Sequence, residues 1–256
     1  MHIASLEFFE LTGVTANLSA MSALAIELAP GVYRIPTMGS GINSFLFKES
    51  DGSLSLVDCG VKGAHKKISS AIKSLNHDMS DVNRIIFTHS HDDHVGGAAK
   101  VIELVGKTEI IAHEEEEKYF ESGKNPPQDY SHFAGLFFRF LPSGGFTPIT
   151  INQTVKDGEL LSVGGGLRVI HTPGHTPGHV SLLHEPSGTL ITGDSVFNFG
   201  FKIAWSLSAF CTNFEESKKT ALKFLDIDYR IAAFTHGPHI EDGRKQALKK
   251  FLRSKS

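Results

Sequence analysis

A β-branched, apolar run, Arg84-Ile85-Ile86-Phe87-Thr88, passes without a turn residue into His89-Ser90-His91-Asp92-Asp93-His94, and Val95-Gly96-Gly97 follows at once. This junction constrains the fold more than any other feature of the chain. Side chains two apart on a strand project the same way, so His89 and His91 can reach one ion. Asp93 and His94 fall where the chain turns into a helix, which can aim them at a second ion beside the first. Gly96 and Gly97 permit close backbone packing behind them. Imidazole with carboxylate suits zinc, iron or manganese, and the absence of thiolate ligands disfavours a closed structural zinc site.

Around the junction the chain repeats one theme, strands first and helices after. Strands are expected at 32–37, 43–48 and 54–58, a helix at 64–77, the junction strand at 84–88, a helix over roughly 94–105 and a strand at 109–112. Glu114 to Glu117 open a helical turn and read as a solvated face. The second half offers strands at 149–154, 159–163, 167–172, 179–184 and 189–192, a helix over roughly 214–226, a strand at 231–235 and a final basic helix from about 243. The simplest architecture that buries both halves is α/β, two mixed sheets face to face with helices outside, a four-layer αβ/βα sandwich. One domain is expected over 24–256, with 1–23 an extension or edge element. An insertion at 119–148, rich in Phe and Pro, fits no regular period and suits a binding loop, a core-packed helix or a homodimer contact.

Composition removes several classes. The net charge is −3, with no long basic run, so neither nucleic acid nor an anionic membrane is an expected partner. Cys59 and Cys211 cannot make a disulfide framework and read as small core residues. The first thirty residues hold no Lys or Arg, and no eighteen-residue apolar run occurs, so a cytoplasmic protein is expected. Fourteen histidines remain to be explained. Of these, His2, His65, His77, His113, His184 and His239 occur singly and are expected to be solvated or packed.

The pattern His89-x-His91-x-Asp93-His94 resembles the signature of the metallo-β-lactamase fold superfamily. Three further segments resemble that family's remaining motifs: His171-Thr172-Pro173-Gly174-His175-Thr176-Pro177-Gly178-His179, Leu190-Ile191-Thr192-Gly193-Asp194, and Phe234-Thr235-His236-Gly237. Order and spacing match from about residue 24 to 240. The resemblance implies a metallo-β-lactamase fold and two divalent ions per chain, zinc first, with iron, manganese or cobalt accepted by the same donors. It implies one ion on His89, His91 and His175, a second on Asp93, His94 and His236, and Asp194 between them. His171 and His179 would flank the motif as strand residues. Asp58 matches a position that supports a ligand imidazole from behind. Two such ions activate water and polarise a carbonyl, and Asp93 would carry the proton to the leaving group.

The resemblance also sorts the substrates. Asp93 stands where one class has a cysteine ligand, and the full second ligand set disfavours a mono-iron dioxygenase. Glyoxalase-type thioester hydrolases carry a long helical region beyond the bridging aspartate, whereas only about sixty residues follow Asp194. A lactone or ester is therefore expected, such as an N-acyl-homoserine lactone in quorum quenching, with thioester and β-lactam hydrolysis as alternatives. A binding module that has lost catalysis is a further alternative, which seven intact ligand positions disfavour. Tyr130, His132, Phe133, Phe137 and Phe197 are the candidate pocket residues. Many such lactonases place a tyrosine after the bridging aspartate, whereas this chain reads Asp194-Ser195-Val196-Phe197-Asn198, so Tyr130 or His132 would have to substitute.

Overall fold

Strands that are apolar on both sides need cover on both faces, which only a layered structure supplies. The computed structural model describes residues 24–129, 144–242 and 246–255, and meets that demand with two sheets packed against each other. Among the described residues the first sheet has seven strands in chain order: β1 (Ile26–Ala29), β2 (Val32–Met38), β3 (Ile42–Lys48), β4 (Leu54–Val57), β5 (Val82–Ile86), β6 (Glu109–His113) and β7 (Gln153–Val155). It is antiparallel as far as β4 and parallel from β4 to β7. The second sheet is built from β8 (Leu160–Leu161), β9 (Leu167–His171), β10 (Val180–His184), β11 (Thr189–Ile191), β14 (Ile231–Ala233) and β15 (Ile240–Glu241), with β11 and β14 parallel. A separate hairpin, β12 (Val196–Asn198) and β13 (Ile203–Trp205), leaves the end of the second sheet.

Residue alternation decides which layer each side chain fills. Phe45, Phe47 and Val57 meet Leu167, Val169, Val180, Leu182 and Ile191 in the core between the sheets. On the other face of the first sheet, Leu46, Leu54 and Leu56 pack against α1 (His65–Ser74), through Ile68, Ala71 and Ile72, and against Ala98 and Val101 of α3 (Ala98–Val105). Leu190 and Ala232, on the outer face of the second sheet, pack against Ala221 of α5 (Phe214–Ala221) and against Leu248 and Leu252 of α6 (Ala247–Arg253). The expected order of helix, sheet, sheet, helix is what these contacts build. No helix among the described residues is long and apolar enough to cross a membrane.

Several boundaries differ from expectation for identifiable reasons. The helix expected over 94–105 is split into α2 (Asp92–Val95) and α3, and the glycines between them let the chain press against a neighbouring turn. A Cβ on Gly97 would lie 2.3 Å from the carbonyl oxygen of Cys59, while its N–H donates to Gly60 O at 2.9 Å. Of the strand expected at 149–154, only its end pairs as β7: Ile149 N–H donates to Phe120 O, and Ile149 and Ile151 go into the helix-side core. Tyr130, His132, Phe133 and Phe137 lie outside the described residues, as does the segment 1–23.

Candidate metal centre

The site forms where both sheets run out. Pairing of β5 ends at Ile86, and the chain continues straight through Thr88, whose carbonyl accepts the Val180 N–H at 2.9 Å from the second sheet. At the other edge the Asn43 N–H donates to Thr235 O at 2.8 Å, and the Asn43 amide also donates to Phe234 O and Gly237 O. These bonds bring the loops bearing His89, His175 and His236 to one end of the sandwich, at the carboxyl ends of parallel strands, where α/β folds place their ligand crevices.

Three ring nitrogens converge first. His89 Nε2 lies 3.1 Å from His91 Nδ1, which lies 2.9 Å from His175 Nε2. The other nitrogens of two of these rings are already committed: His89 Nδ1–H donates to Thr88 Oγ1 at 3.1 Å, and His175 Nδ1–H points at Cys211 Sγ, 3.5 Å away. Their Nε2 atoms therefore present lone pairs. Burial holds His89 and His175 well below the ordinary histidine range and lowers His91, so the rings are neutral. The remaining nitrogen of His91, Nε2, is buried without a partner among the described residues. Lone pairs brought this close are repulsive unless an electrophile sits among them, and the donor set is one that divalent transition metals accept.

Beside it lies a second set. His94 Nε2 is 3.3 Å from His236 Nε2, and Asp93 Oδ2 is 3.7 Å from the former and 3.3 Å from the latter. Asp194 stands between the sets, with Oδ2 3.3 Å from His175 Nε2 and 3.1 Å from His236 Nε2, and Oδ1 3.2 Å from His94 Nε2. Burial disfavours the charged ring of His94, but Asp194, Asp93 and Asp58 outweigh it and push His94 well above its ordinary value. The same contest, with Asp194 and Asp93 on the winning side, pushes His236 up to about 9. Burial likewise opposes ionisation of Asp93 and Asp194, yet the surrounding imidazoles hold both well below the usual carboxylate range. This half of the site is an anionic recess that recruits positive charge, and it fits a divalent cation.

The residues behind the site fix its tautomers. Asp58 is fully buried, with φ at +59°, and its carboxylate accepts from Thr88 N at 2.9 Å, Thr88 Oγ1 at 2.7 Å and His94 Nδ1 at 2.9 Å. The Nδ1–H of His94 is thereby held on Asp58, so Nε2 is the nitrogen that faces the second set and the one that gives up its proton to a cation. His179 is more than a flanking strand residue: its Nδ1–H donates to Thr172 O, and its Nε2 accepts the Asp194 N–H at 2.8 Å. Thr235 Oγ1 donates to Asp194 Oδ1 at 2.8 Å. Cys211 also exceeds its expected part as a small core residue. Burial pushes its thiol up to about 12, so it stays protonated beside His175. No local motif signals that contact, because 36 positions separate the pair.

The structure corrects the acidic run as well. Glu114 and Glu115 are exposed, but Glu116 is fully buried. A further group that could hold a cation, His113, Glu115 and His171, lies elsewhere. There the two rings stack with centroids 4.0 Å apart at 17°, and His171 Nε2–H donates to Pro177 O, so both histidines keep packing roles. A cavity of about 620 Å³ opens over the site, floored by Asp93, His175, Asp194 and His236. Phe197, Phe199, Leu207 and Phe210 wall it, and the Phe197 ring lies 4.3 Å from that of His236.

Comparison with known proteins shows the family. The model of the metallo-beta-lactamase superfamily matches residues 38–236. The chain is 30% identical over 224 residues to the uncharacterized protein YobT of Bacillus subtilis, spanning 82% of this chain and 90% of YobT. It is 29% identical over 226 residues to the hydroxyacylglutathione hydrolase GloC of Haemophilus influenzae, spanning 87% of this chain and 98% of GloC. Among solved structures, a metallo-beta-lactamase family protein from Thermus thermophilus superposes with a TM-score of 0.66 at 24% identity, over 89% of this chain and 81% of that one. At that identity the likeness speaks for the fold alone.

Proposed function

The chain belongs to the metallo-beta-lactamase superfamily of metal-dependent hydrolases, and from that premise we propose that it is a dinuclear enzyme that opens a lactone or ester bearing an apolar acyl group. The observation that carries this is the convergence of neutral ring nitrogens at 2.9 and 3.1 Å beside an anionic second set, with Asp194 reaching both. His89, His91 and His175 would hold one ion and Asp93, His94 and His236 the other, zinc being the first choice. When bound, such ions supply a Lewis acid for the carbonyl and bring the pKa of water toward neutrality. Asp93 faces the cavity, with its side chain 31% exposed, so it can take the proton of the attacking water and return it to the leaving oxygen. His179 and Thr235 keep Asp194 in place through that exchange.

The Phe197, Phe199, Leu207 and Phe210 wall favours an acyl chain over a charged group, and an N-acyl-homoserine lactone combines that chain with the scissile ester. A second reading, thioester hydrolysis, is favoured by the match to GloC, a hydroxyacylglutathione hydrolase. A cytoplasmic address suits two cysteines that are both free and buried. The test is acid release at constant pH when metal-loaded protein meets a long-chain acyl-homoserine lactone, with His91→Ala as the blank. A kcat/KM of about 10⁴ M⁻¹s⁻¹ or more is expected. A rate equal to the blank, with rapid turnover of an acyl thioester, would replace the lactone by the thioester.

A further inference from the structure

Glu116 closes the 3₁₀ turn Glu114–Glu116 and leads into α4 (Glu117–Ser122), but its carboxylate turns inward, away from the exposed glutamates beside it. Its Oε2 accepts the Ser90 N–H at 2.8 Å and also the Ser90 hydroxyl, and its Oε1 accepts the Gly178 N–H at 2.7 Å. These donors are all neutral. A fully buried carboxylate is costly to keep even when hydrogen-bonded, and burial pushes this one above the usual range. Its two oxygens are divided between two loops. Ser90 stands between His89 and His91, and Gly178 lies three positions after His175. One side chain thus fastens the loop carrying two rings of the first set to the loop carrying the third.

The packing leaves this strap no slack. A Cβ on Gly178 would lie 2.8 Å from Glu116 Cγ and 2.9 Å from Glu116 N. The second set is held differently: His94 through Asp58, and His236 through the Asn43 contacts of its loop. We propose that Glu116 is a positioning residue that sets the spacing of His89, His91 and His175, so that disturbing it weakens cation binding at that trio while leaving Asp93, His94 and His236 as they were. This rests on the dinuclear assignment above. No substrate contact is involved.

Glu116→Gln keeps the volume but offers one acceptor where the backbone presents two N–H groups, so an amide N–H must face one of them. Gly178→Ala keeps the carboxylate and pushes it away. Both variants and wild type are titrated with cobalt(II) against a competing chelator, following cobalt absorption to report each ion's ligands. Circular dichroism and thermal melts establish that the variants fold. Both variants should lose about 10- to 100-fold in affinity for one ion, with an altered spectrum for that ion, while the other binds as in wild type. Glu115→Gln, on the exposed neighbour, should bind both ions as wild type does. Folded Glu116→Gln or Gly178→Ala protein with wild-type affinity for both ions would overturn the assignment of Glu116 alone. Should Glu116→Gln fail to fold, the Gly178→Ala comparison decides. Wild-type protein that binds no cobalt would overturn the dinuclear assignment itself, and the strap with it.

Discussion

Asp58→Asn separates the tautomer effect from the packing effect at one buried position. The aspartate satisfies three donors with two oxygens: Thr88 N on Oδ1, and Thr88 Oγ1 and His94 Nδ1 on Oδ2. Asparagine has the same shape but one acceptor and one NH2. With the NH2 turned to Thr88 N, two donors face each other and a buried backbone N–H goes unpaired, costing about 1–3 kcal/mol. With the NH2 at the Oδ2 position, His94 Nδ1 must become the acceptor and its proton must move to Nε2. That nitrogen lies 3.3 Å from His236 Nε2 and 3.2 Å from Asp194 Oδ1, so a donor replaces the lone pair the second set needs. The charge-assisted bond lost in either case is worth about 1.5–3 kcal/mol. A weakening of the second ion by about 10- to 100-fold, or 1.4–2.8 kcal/mol, follows. Calorimetric titration with zinc against a chelator reads this, and urea unfolding of the metal-free protein reads the stability. Wild-type affinity for both ions in folded Asp58→Asn protein would refute the tautomer reasoning.

Two further outcomes follow from the packing and the buried rings. Phe45 is fully buried between the sheets, so Phe45→Ala should lower unfolding stability by about 3–5 kcal/mol, read as a fall in the urea midpoint. His113 and His179 are held neutral by burial, at about 4 and about 3. Well above pH 6.5, from about pH 7.5, they are neutral in folded and unfolded chains alike and contribute no slope. As pH falls from about 6.5 toward 4, the unfolded chain takes up protons that the folded one refuses, so stability in chelator should drop, by up to about 1.4 kcal/mol per pH unit for each ring. A stability flat between pH 6.5 and 5 would contradict their burial.

What could be read from the chain alone is what is encoded locally. His89 to His94 and His171 to His179 each pack their donors into a few consecutive positions, so the ligand candidates stand out before any fold is known. Strands buried on both faces were legible for the same reason. Glu116 was not: in a run of four glutamates nothing marks the one that turns inward, since the phase is set by the 3₁₀ turn and by Ser90 and Gly178 arriving from 26 and 62 positions away. Cys211 is met by His175 across 36 positions and belongs to no motif. The β12–β13 hairpin went unmarked because its strands are three residues each, and Gly200, with φ at +86°, was the available sign of a turn. Phe197 lines the cavity over the site, two positions past the short 3₁₀ turn that carries Asp194.

The most direct test of the central claim is metal content together with activity. Protein expressed with ample zinc would be dialysed, its metal counted by mass spectrometry, and its ester or lactone hydrolysis followed through chelation and zinc return. Two ions per chain, activity abolished by chelator and restored by zinc, and both ions disturbed together in Asp194→Ala are the predicted results. Less than one ion per chain, with hydrolysis indifferent to chelation, would contradict the account.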